Sequence, residues 1–398
     1  MRRPISDESR RALLAERQLL GGAASSGWGD RGVVDVAAAV GPLHSTDPSS
    51  AYLQIAARAD VSPRDIDQAL YEDRELLRHT TLRRTVHLLL PDVAAAAHGA
   101  YNYRMLPTLR GQLVKWLDAC PDVKGDAAAW LAEVEDRVVA AVTDLDEPSG
   151  GDLSTAVPEL GTVVEPAPGK SYGKPIRITS KVLEILIAEG RIARNRPRGE
   201  DWTSGAWSYA PVTGWIPDGL GTPDPEPSLA KLLTVRLTSL PAASVVDLAW
   251  WTGLPKGQVK TALATIEAEE VEREDGAVGY VLPEDDLTPV GHEPAAALLP
   301  GLDATPMGCK ERDWFLGRLE DELFDRNGNI GPTVWWGGRI IGGWTQRTDG
   351  QVAVGYLEDV DAAVRRAVED EAERLQAWIG EVRVNWRYPT PLQKRLEA

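Results

Sequence analysis

Hydrophobic residues follow helical and then extended spacing along the chain, and one combination of the two recurs. It is clearest over residues 243–280, where SVVDLAWWTGL has helical spacing, with Ser244 as its predicted N-cap and Gly253 as its end. Pro255 opens a second predicted helix, and two alternating runs around Gly276 predict a tight β-hairpin. Helix, tight turn, helix and hairpin together are typical of a winged helix.

Two less regular copies of this pattern precede the clear one. Residues 126–215 predict three helices, the last of them ITSKVLEILIAEG, and then a long basic hairpin that carries tryptophan. Residues 8–91 contain four segments of helical pattern and then the strand-like run RRTVHLLLP. The proline-rich segment 217–228 is the best candidate linker.

The C-terminal part of the chain differs in kind, because glycine and β-forming residues dominate TVWWGGRIIGGW and GQVAVGYL. These runs predict a small sheet or partial barrel, which a long acidic helix follows. The whole pattern predicts an α+β protein, with three tandem winged-helix units and a β-rich C-terminal domain. The predicted boundaries are 1–100, 101–216 and 217–287 for the three units and 288–398 for the last domain.

Composition narrows the class of protein. The 398 residues are 43% hydrophobic and 26% charged, which is typical of a soluble globular protein. Cys120 and Cys309 are too few for a disulfide framework or a metal quartet. The N-terminal residues lack the apolar core of a signal peptide, and no run of about 18 apolar residues occurs. We therefore expect a cytoplasmic protein without a membrane-spanning segment.

The charge is unevenly distributed along the chain. A net charge of −17 argues against non-specific binding of nucleic acid. Residues 170–200 nevertheless carry eight Lys or Arg against three Glu, around the third helix and the hairpin of the second unit. A basic hairpin that merely balances an acidic protein explains this segment equally well. The candidate DNA-binding residues here are Lys174, Arg177, Lys181, Arg191, Arg194, Arg196 and Arg198.

A second candidate DNA-binding surface is the aromatic cluster at Trp335, Trp336 and Arg339. Its tryptophans could stack on bases or wedge into a distorted base step. Alternation along a strand places the two rings on opposite faces, so at most one of them belongs to the core. Sheet packing is the favoured alternative, because a chain with two Phe must fill space with Trp.

The segment LHSTDP is the strongest candidate for catalysis. The chain has no nucleotide-binding or HExxH motif, and its five histidines and two cysteines lack the spacing of a metal site, so we expect no metal or cofactor. Between two predicted helices, His44 and Thr46 are expected to point the same way, as a base and an orienting hydroxyl for water. Asp47 could hold the imidazole, but capping the next helix is favoured. A purely structural His44 stays open.

Four segments together resemble a known family: SRRALLAERQ, GPLHSTDPSSAYLQIAAR, LYEDRELLRHTTLRRTVHLL and GPTVWWGGRIIGGW. The chain is similar to the AlkZ/YcaQ-like family of bacterial winged-helix DNA glycosylases, over nearly its whole length. The resemblance implies a C-shaped scaffold that cradles duplex DNA. It also implies hydrolysis of the N-glycosidic bond of alkylated purines, such as N7-alkylguanine, in DNA repair or in self-resistance of organisms that make DNA-alkylating natural products.

The resemblance also locates the catalytic motif and shows a departure from it. The family places Gln-x-Gln or Gln-x-Asp where this chain has His44 and Thr46, so an imidazole and a hydroxyl replace two amides or an amide and a carboxylate. No lysine lies at the motif, which disfavours Schiff-base chemistry. We expect a monofunctional, monomeric glycosylase. A non-catalytic DNA-binding regulator or adduct sensor is the alternative, and a protein-interaction scaffold is a weaker one.

Overall fold

The computed structural model describes residues 2–21, 31–166, 174–199, 201–291, 293–386 and 389–398. The helices in these residues are α1 Asp7–Arg17, α2 Val33–Val40, α3 Pro48–Ala56, α4 Pro63–Asp67, α5 Pro91–Ala97, α6 Tyr103–Asp118, α7 Ala127–Asp144, α8 Gly150–Ala156, α9 Thr179–Ala188, α10 Pro225–Ser239, α11 Val245–Thr252, α12 Lys256–Thr265, α13 Ala304–Met307, α14 Asp313–Leu316, α15 Glu320–Leu323, α16 Ala362–Ile379 and α17 Pro391–Glu397.

The strands form several small sheets rather than one large one. They are β1 Arg3–Ile5, β2 Leu43–His44, β3 Leu77–Thr81, β4 Thr85–Leu89, β5 Val163–Val164, β6 Ile176–Arg177, β7 Ile192–Pro197, β8 Trp207–Pro211, β9 Glu269–Arg273, β10 Val278–Val281, β11 Ala296–Leu299, β12 Thr333–Trp336, β13 Arg339–Gln346 and β14 Val352–Tyr356. The sheet orders are β1-β9-β10, β2-β4-β3, β5-β6, β7-β8 and β11-β12-β13-β14. The fold is therefore mixed α+β.

The elements predicted for residues 243–280 are confirmed. The Ser244 side chain caps α11 by accepting a hydrogen bond from the Asp247 amide, and Asp247 bonds back to Ser244. Gly253 ends α11 in the left-handed conformation that glycine adopts without strain, with φ at 71°. After α12, strands β9 and β10 pair around Gly276, whose φ is 77°. Part of the predicted linker is helical, because Asp224 caps α10 and Pro225 occupies its first position.

The predicted units share sheets and cores. β1 pairs in parallel with β9, so the start of the chain completes a sheet that begins more than 260 residues later. One buried cluster joins Leu14, Leu89, Leu233 and Trp335, which come from three of the four predicted domains. Another core is local, with buried members from Met105 to Ile192 only. The second predicted unit therefore has its own core within the described residues.

The small sheet predicted for the C-terminal part is present, and its four strands are antiparallel throughout. Helix α16 packs on it through Val364, Val368 and Leu375, in a cluster that also contains residues of α2 and α3. The described helices include none with the length and apolarity that a membrane crossing requires.

Candidate active site

His44 lies opposite a second histidine. β2 and β4 pair antiparallel, with Leu43 opposite Leu88 and His44 opposite His87. The two imidazole rings meet edge to face, with 5.7 Å between their centroids and 73° between their planes. Side chains of directly opposite residues on neighbouring strands contact each other, so strand register alone brings the two rings together.

Both histidines line a cleft of about 410 Å³, the histidine cleft. Nδ1 of each ring is buried and accepts or donates no hydrogen bond among the described residues. Burial, reinforced by Arg83, lowers the pKa of His44 to about 4, and burial beside His44 lowers the pKa of His87 to about 3. Near pH 7 both rings are therefore neutral, and a neutral imidazole has one nitrogen that can accept a proton. The other lining residues are Pro42, Leu82, Arg83, Thr85, Trp251, Ala304, Met307 and Gly308.

Acid should destabilise the fold before its carboxylates titrate. Burial lowers the pKa of His44, His79, His87 and His98, which are the described histidines. The unfolded chain binds protons near pH 6.5 that the folded chain does not, so the unfolding free energy is greatest above pH 6.5 and falls as the pH drops towards about 4. Urea midpoints at pH 7.5, 6 and 5 should decrease in that order. The variant His87→Phe should show a shallower decrease, and equal midpoints would contradict this prediction.

The loop after β2 is held by two polar side chains. Asp47 caps α3, because its Oδ1 accepts hydrogen bonds from the Ser49 amide at 3.0 Å and the Ser49 hydroxyl at 2.6 Å. Nε2 of Gln54 donates to the His44 carbonyl at 2.7 Å, and its Oε1 accepts from the Ala304 amide at 3.0 Å. Capping is thus confirmed for Asp47, and none of its hydrogen bonds in the described chain reaches the His44 ring. Gln54 is a positioning residue that the sequence did not reveal.

Thr46 does not share the histidine cleft. It lines a neighbouring cleft of about 780 Å³, together with Ser180, Arg194 and Trp207. β2 ends at His44, and the chain then turns to cap α3, so the alternation expected of an extended segment stops there. This placement corrects the expectation that His44 and Thr46 point the same way. Thr46 Oγ1 is buried and has no hydrogen-bond partner among the described residues.

Most of the predicted DNA-binding cations are engaged by acidic side chains. Lys174 and Arg177 are exposed and in no described ion pair, whereas Arg194 donates only to the Thr80 hydroxyl, at 3.2 Å. Exposed ion pairs of this kind are weak and can be exchanged for phosphate contacts. The ion pairs are Lys181 with Glu184, Arg191 with Asp136, Arg196 with Asp67 and Glu72, Arg198 with Asp152, and Arg339 with Glu358.

The two adjacent tryptophans of β12 have different environments. Trp335 is completely buried, its ring stacks on Phe315 at 5.3 Å, and its indole N–H donates to the Thr333 hydroxyl. Trp336 is half-buried. Strand alternation explains the difference. Trp335 was expected to contact DNA, and this expectation is wrong because the core encloses its ring.

A second group of cations lies beside the histidine cleft and was missed. The Arg83 guanidinium stacks over Trp250 at 3.8 Å, and Lys310 Nζ lies 4.9 Å from the same ring. Neither forms an ion pair with a described carboxylate. Arg83 and Arg84 turn the chain from β3 to β4 with φ of 55° and 63°, in the left-handed region that non-glycine residues adopt uncommonly. The only signal in the sequence was the segment RRTVH. In it two arginines precede Thr85 and His87, which are alternate residues of one strand and therefore lie on the same face.

Comparisons with known proteins agree with this structure. A family model described as DNA glycosylase AlkZ-like matches residues 37–378. The solved structure of Streptomyces sahachiroi DNA glycosylase AlkZ superposes with a TM-score of 0.71 at 18% sequence identity, covering 94% of this chain and 97% of that one. At this identity the superposition shows a shared fold. No curated protein matches the chain. The family match extends over most of the sequence, and the chain belongs to the AlkZ-like family of DNA glycosylases.

Proposed function

We propose that the protein is a monofunctional glycosylase that hydrolyses the N-glycosidic bond of alkylated purines, N7-alkylguanine in particular, in duplex DNA. The observation that carries the proposal is the neutral His44 ring in the histidine cleft, with Nδ1 unpartnered among the described residues and Arg83 at the rim. A neutral ring nitrogen can hold a water molecule and accept its proton. No cofactor enters this reaction.

The chemistry suits a weak base. A purine alkylated at N7 is cationic and leaves readily, so alignment of water beside C1′ supplies much of the catalysis. The water oxygen attacks C1′ as the C1′–N9 bond breaks, and the bond's electron pair neutralises the departing purine. The water proton passes to the His44 ring. With its pKa lowered to about 4, His44 accepts that proton late, when positive charge has already accumulated on the sugar.

Duplex DNA would lie along the face that carries the histidine cleft. Arg83 and Lys310 flank the cleft without carboxylate partners in the described chain, and Arg104 is exposed nearby, beside Tyr101. We assign the helix–turn–helix–hairpin units, with the predicted boundaries, to three winged helices that form a C-shaped monomeric clamp. Cations that carry no carboxylate partner bind phosphate without first breaking an ion pair.

Binding and excision should separate the glycosylase from a sensor. The test uses duplexes that contain N7-methylguanine or a bulky intercalating N7 adduct, and it measures release of the modified base together with affinity. Release of either adduct supports the proposal. Tight binding without release of either would favour the non-catalytic DNA-binding alternative.

Salt should weaken the binding through the newly identified cations. Affinity for duplex DNA should fall steeply between low and moderate salt, because phosphate contacts release counterions. Arg83→Gln and Lys310→Gln should each reduce the slope of log affinity against log salt by about 1. The matched control is Arg137→Gln, since Arg137 is exposed and paired with Glu159. Identical slopes in all four proteins would contradict this assignment of the DNA-binding face.

A further inference from the structure

The cleft lined by Thr46, Ser180, Arg194 and Trp207, here called the arginine cleft, contains polar groups that the reaction above does not use. Its volume is about 780 Å³. Thr46 Oγ1 is buried at its wall without a described hydrogen-bond partner. The cleft adjoins the strand pair that carries His44, because the Ser45 amide donates to the Val86 carbonyl at 2.8 Å and both residues line the cleft.

Two guanidinium groups at this cleft are held by neutral partners only. Arg194 donates to the Thr80 hydroxyl at 3.2 Å, and Arg78, which is 2% exposed, hydrogen-bonds the hydroxyls of Ser45 and Tyr71. Neither forms an ion pair with a described carboxylate. Burial lowers the pKa of Arg194, and Arg78 lowers it further. Buried charges in proteins are normally paired, so the buried Arg78, with the half-buried Arg194 beside it, favours an anion at the cleft.

The remaining charges at the cleft do not oppose an anion. Glu184 is the one carboxylate among the described lining residues, and Lys181 binds it at 2.8 Å while Arg84 lies 3.7 Å away. The Arg78 guanidinium lies 4.3 Å from the centroid of the Trp207 ring. The surroundings therefore hold four cations and one acidic group, in a protein whose net charge is −17.

We infer that the arginine cleft is a phosphate-binding site that holds the backbone phosphate next to the excised nucleotide, with Arg194 and the Thr46 hydroxyl as its hydrogen-bond donors. His44 and Thr46 are two residues apart, and two extended residues span at most about 7 Å. A phosphate at Thr46 and a sugar at His44 would therefore bind to neighbouring backbone positions of the protein. The assignment rests on the proposed function and gives Thr46 a role in placing the substrate strand instead of the water.

Neutral phosphates can test this contact one position at a time. The probe is a duplex with a tetrahydrofuran abasic analogue, which cannot be excised, and with a single methylphosphonate at each flanking phosphate in turn. At one phosphate beside the analogue, the substitution should weaken binding by the wild-type protein roughly ten- to hundred-fold, which is typical of a lost charged hydrogen bond. Arg194→Gln should weaken binding of the unmodified duplex equally and show no further loss at that position.

A second variant, Ser180→Asp, tests the same contact in case Arg194→Gln does not fold. Ser180 is exposed and lines the cleft in the first turn of α9, where an acidic residue favours the helix, so Ser180→Asp should fold and repel the phosphate. Arg137→Gln should retain the wild-type pattern. The inference is overturned if the wild type binds the duplex but each methylphosphonate weakens binding by the same factor in the wild type, Arg194→Gln and Ser180→Asp.

A free nucleotide could supply the same chemistry. Deoxyguanosine monophosphate should not raise the melting temperature of the wild type at millimolar concentration. If it does, and Arg194→Gln abolishes the shift while no methylphosphonate position stands out, the assignment to the DNA backbone is wrong. Excision of N7-methylguanine by the wild type in that case would leave the proposed glycosylase activity intact.

Discussion

Replacing His44 by alanine should reduce base excision by roughly 10²- to 10⁴-fold, which is typical of the loss of a general base. The side chain is 8% exposed, and its removal leaves the backbone pairing of β2 with β4 intact. Duplex affinity should therefore change little, because no phosphate contact is assigned to the imidazole. Single-turnover release of N7-methylguanine measures the chemical step, and binding to the abasic-analogue duplex provides the comparison.

The variant His44→Gln distinguishes two roles of the ring. Glutamine places a neutral amide in the space of the ring and can orient water, but it cannot accept a proton near neutral pH. It is also the residue that the sequence resemblance places at this position. Activity of His44→Gln close to that of the wild type, with His44→Ala inactive, would assign water orientation to His44. Wild-type excision by His44→Ala would remove the residue from the mechanism.

His87 should affect the rate through its neighbour. It lies opposite His44 in the strand register, and its Nε2 is 3.4 Å from the Thr85 hydroxyl. The edge-to-face contact between the two rings restricts how far the His44 imidazole can tilt. This partnership depends on which residue of β4 pairs with which residue of β2. Such register is a property of the folded sheet, and it could not be predicted from two histidines separated by 42 positions.

The sequence correctly predicted the elements whose structure depends on residues close together in the chain. The caps at Ser244 and Asp47 depend on contacts within four residues, and the hairpin depends on a three-residue turn, 274–276, that ends with Gly276 in the left-handed conformation. The parallel pairing of β1 with β9 depends on strands far apart in the chain. No local pattern specifies that pairing, so the sequence did not reveal the shared sheet.

The charge pattern of the sequence does not show which of the predicted DNA-binding cations are paired in the fold. The sequence places Arg196 and Arg198 in a basic hairpin. In the fold, acidic residues of distant segments pair with them, Asp67 with Arg196 and Asp152 with Arg198. Arg83 and Lys310 do not belong to a long basic segment of the sequence, yet both lie against the Trp250 ring. Which cations stay free of carboxylates is decided by tertiary structure, and net charge does not report it.

The buried pair of Arg58 and Asp303 should contribute the largest single effect on stability. Both side chains are fully enclosed, and the guanidinium donates to both carboxylate oxygens, at 2.8 and 2.9 Å. Asp303 also accepts from the Thr305 amide, and Arg58 donates to the Gln54 carbonyl. Arg58→Met leaves a buried carboxylate without its counter-charge, which should lower the unfolding free energy by about 3–5 kcal/mol.

The double variant Arg58→Met with Asp303→Asn provides the matched control. The asparagine is neutral and keeps an oxygen that can accept from the Thr305 amide, so urea unfolding should show a substantial recovery of stability over Arg58→Met alone. Equal losses in the single and double variants would show that the charge is not the cause. The pair also bears on catalysis, since Arg58 holds the carbonyl of Gln54, and Gln54 holds the His44 carbonyl. Excision by the folded fraction of Arg58→Met should therefore fall as well, because the loop that positions His44 loses its anchor to the C-terminal domain.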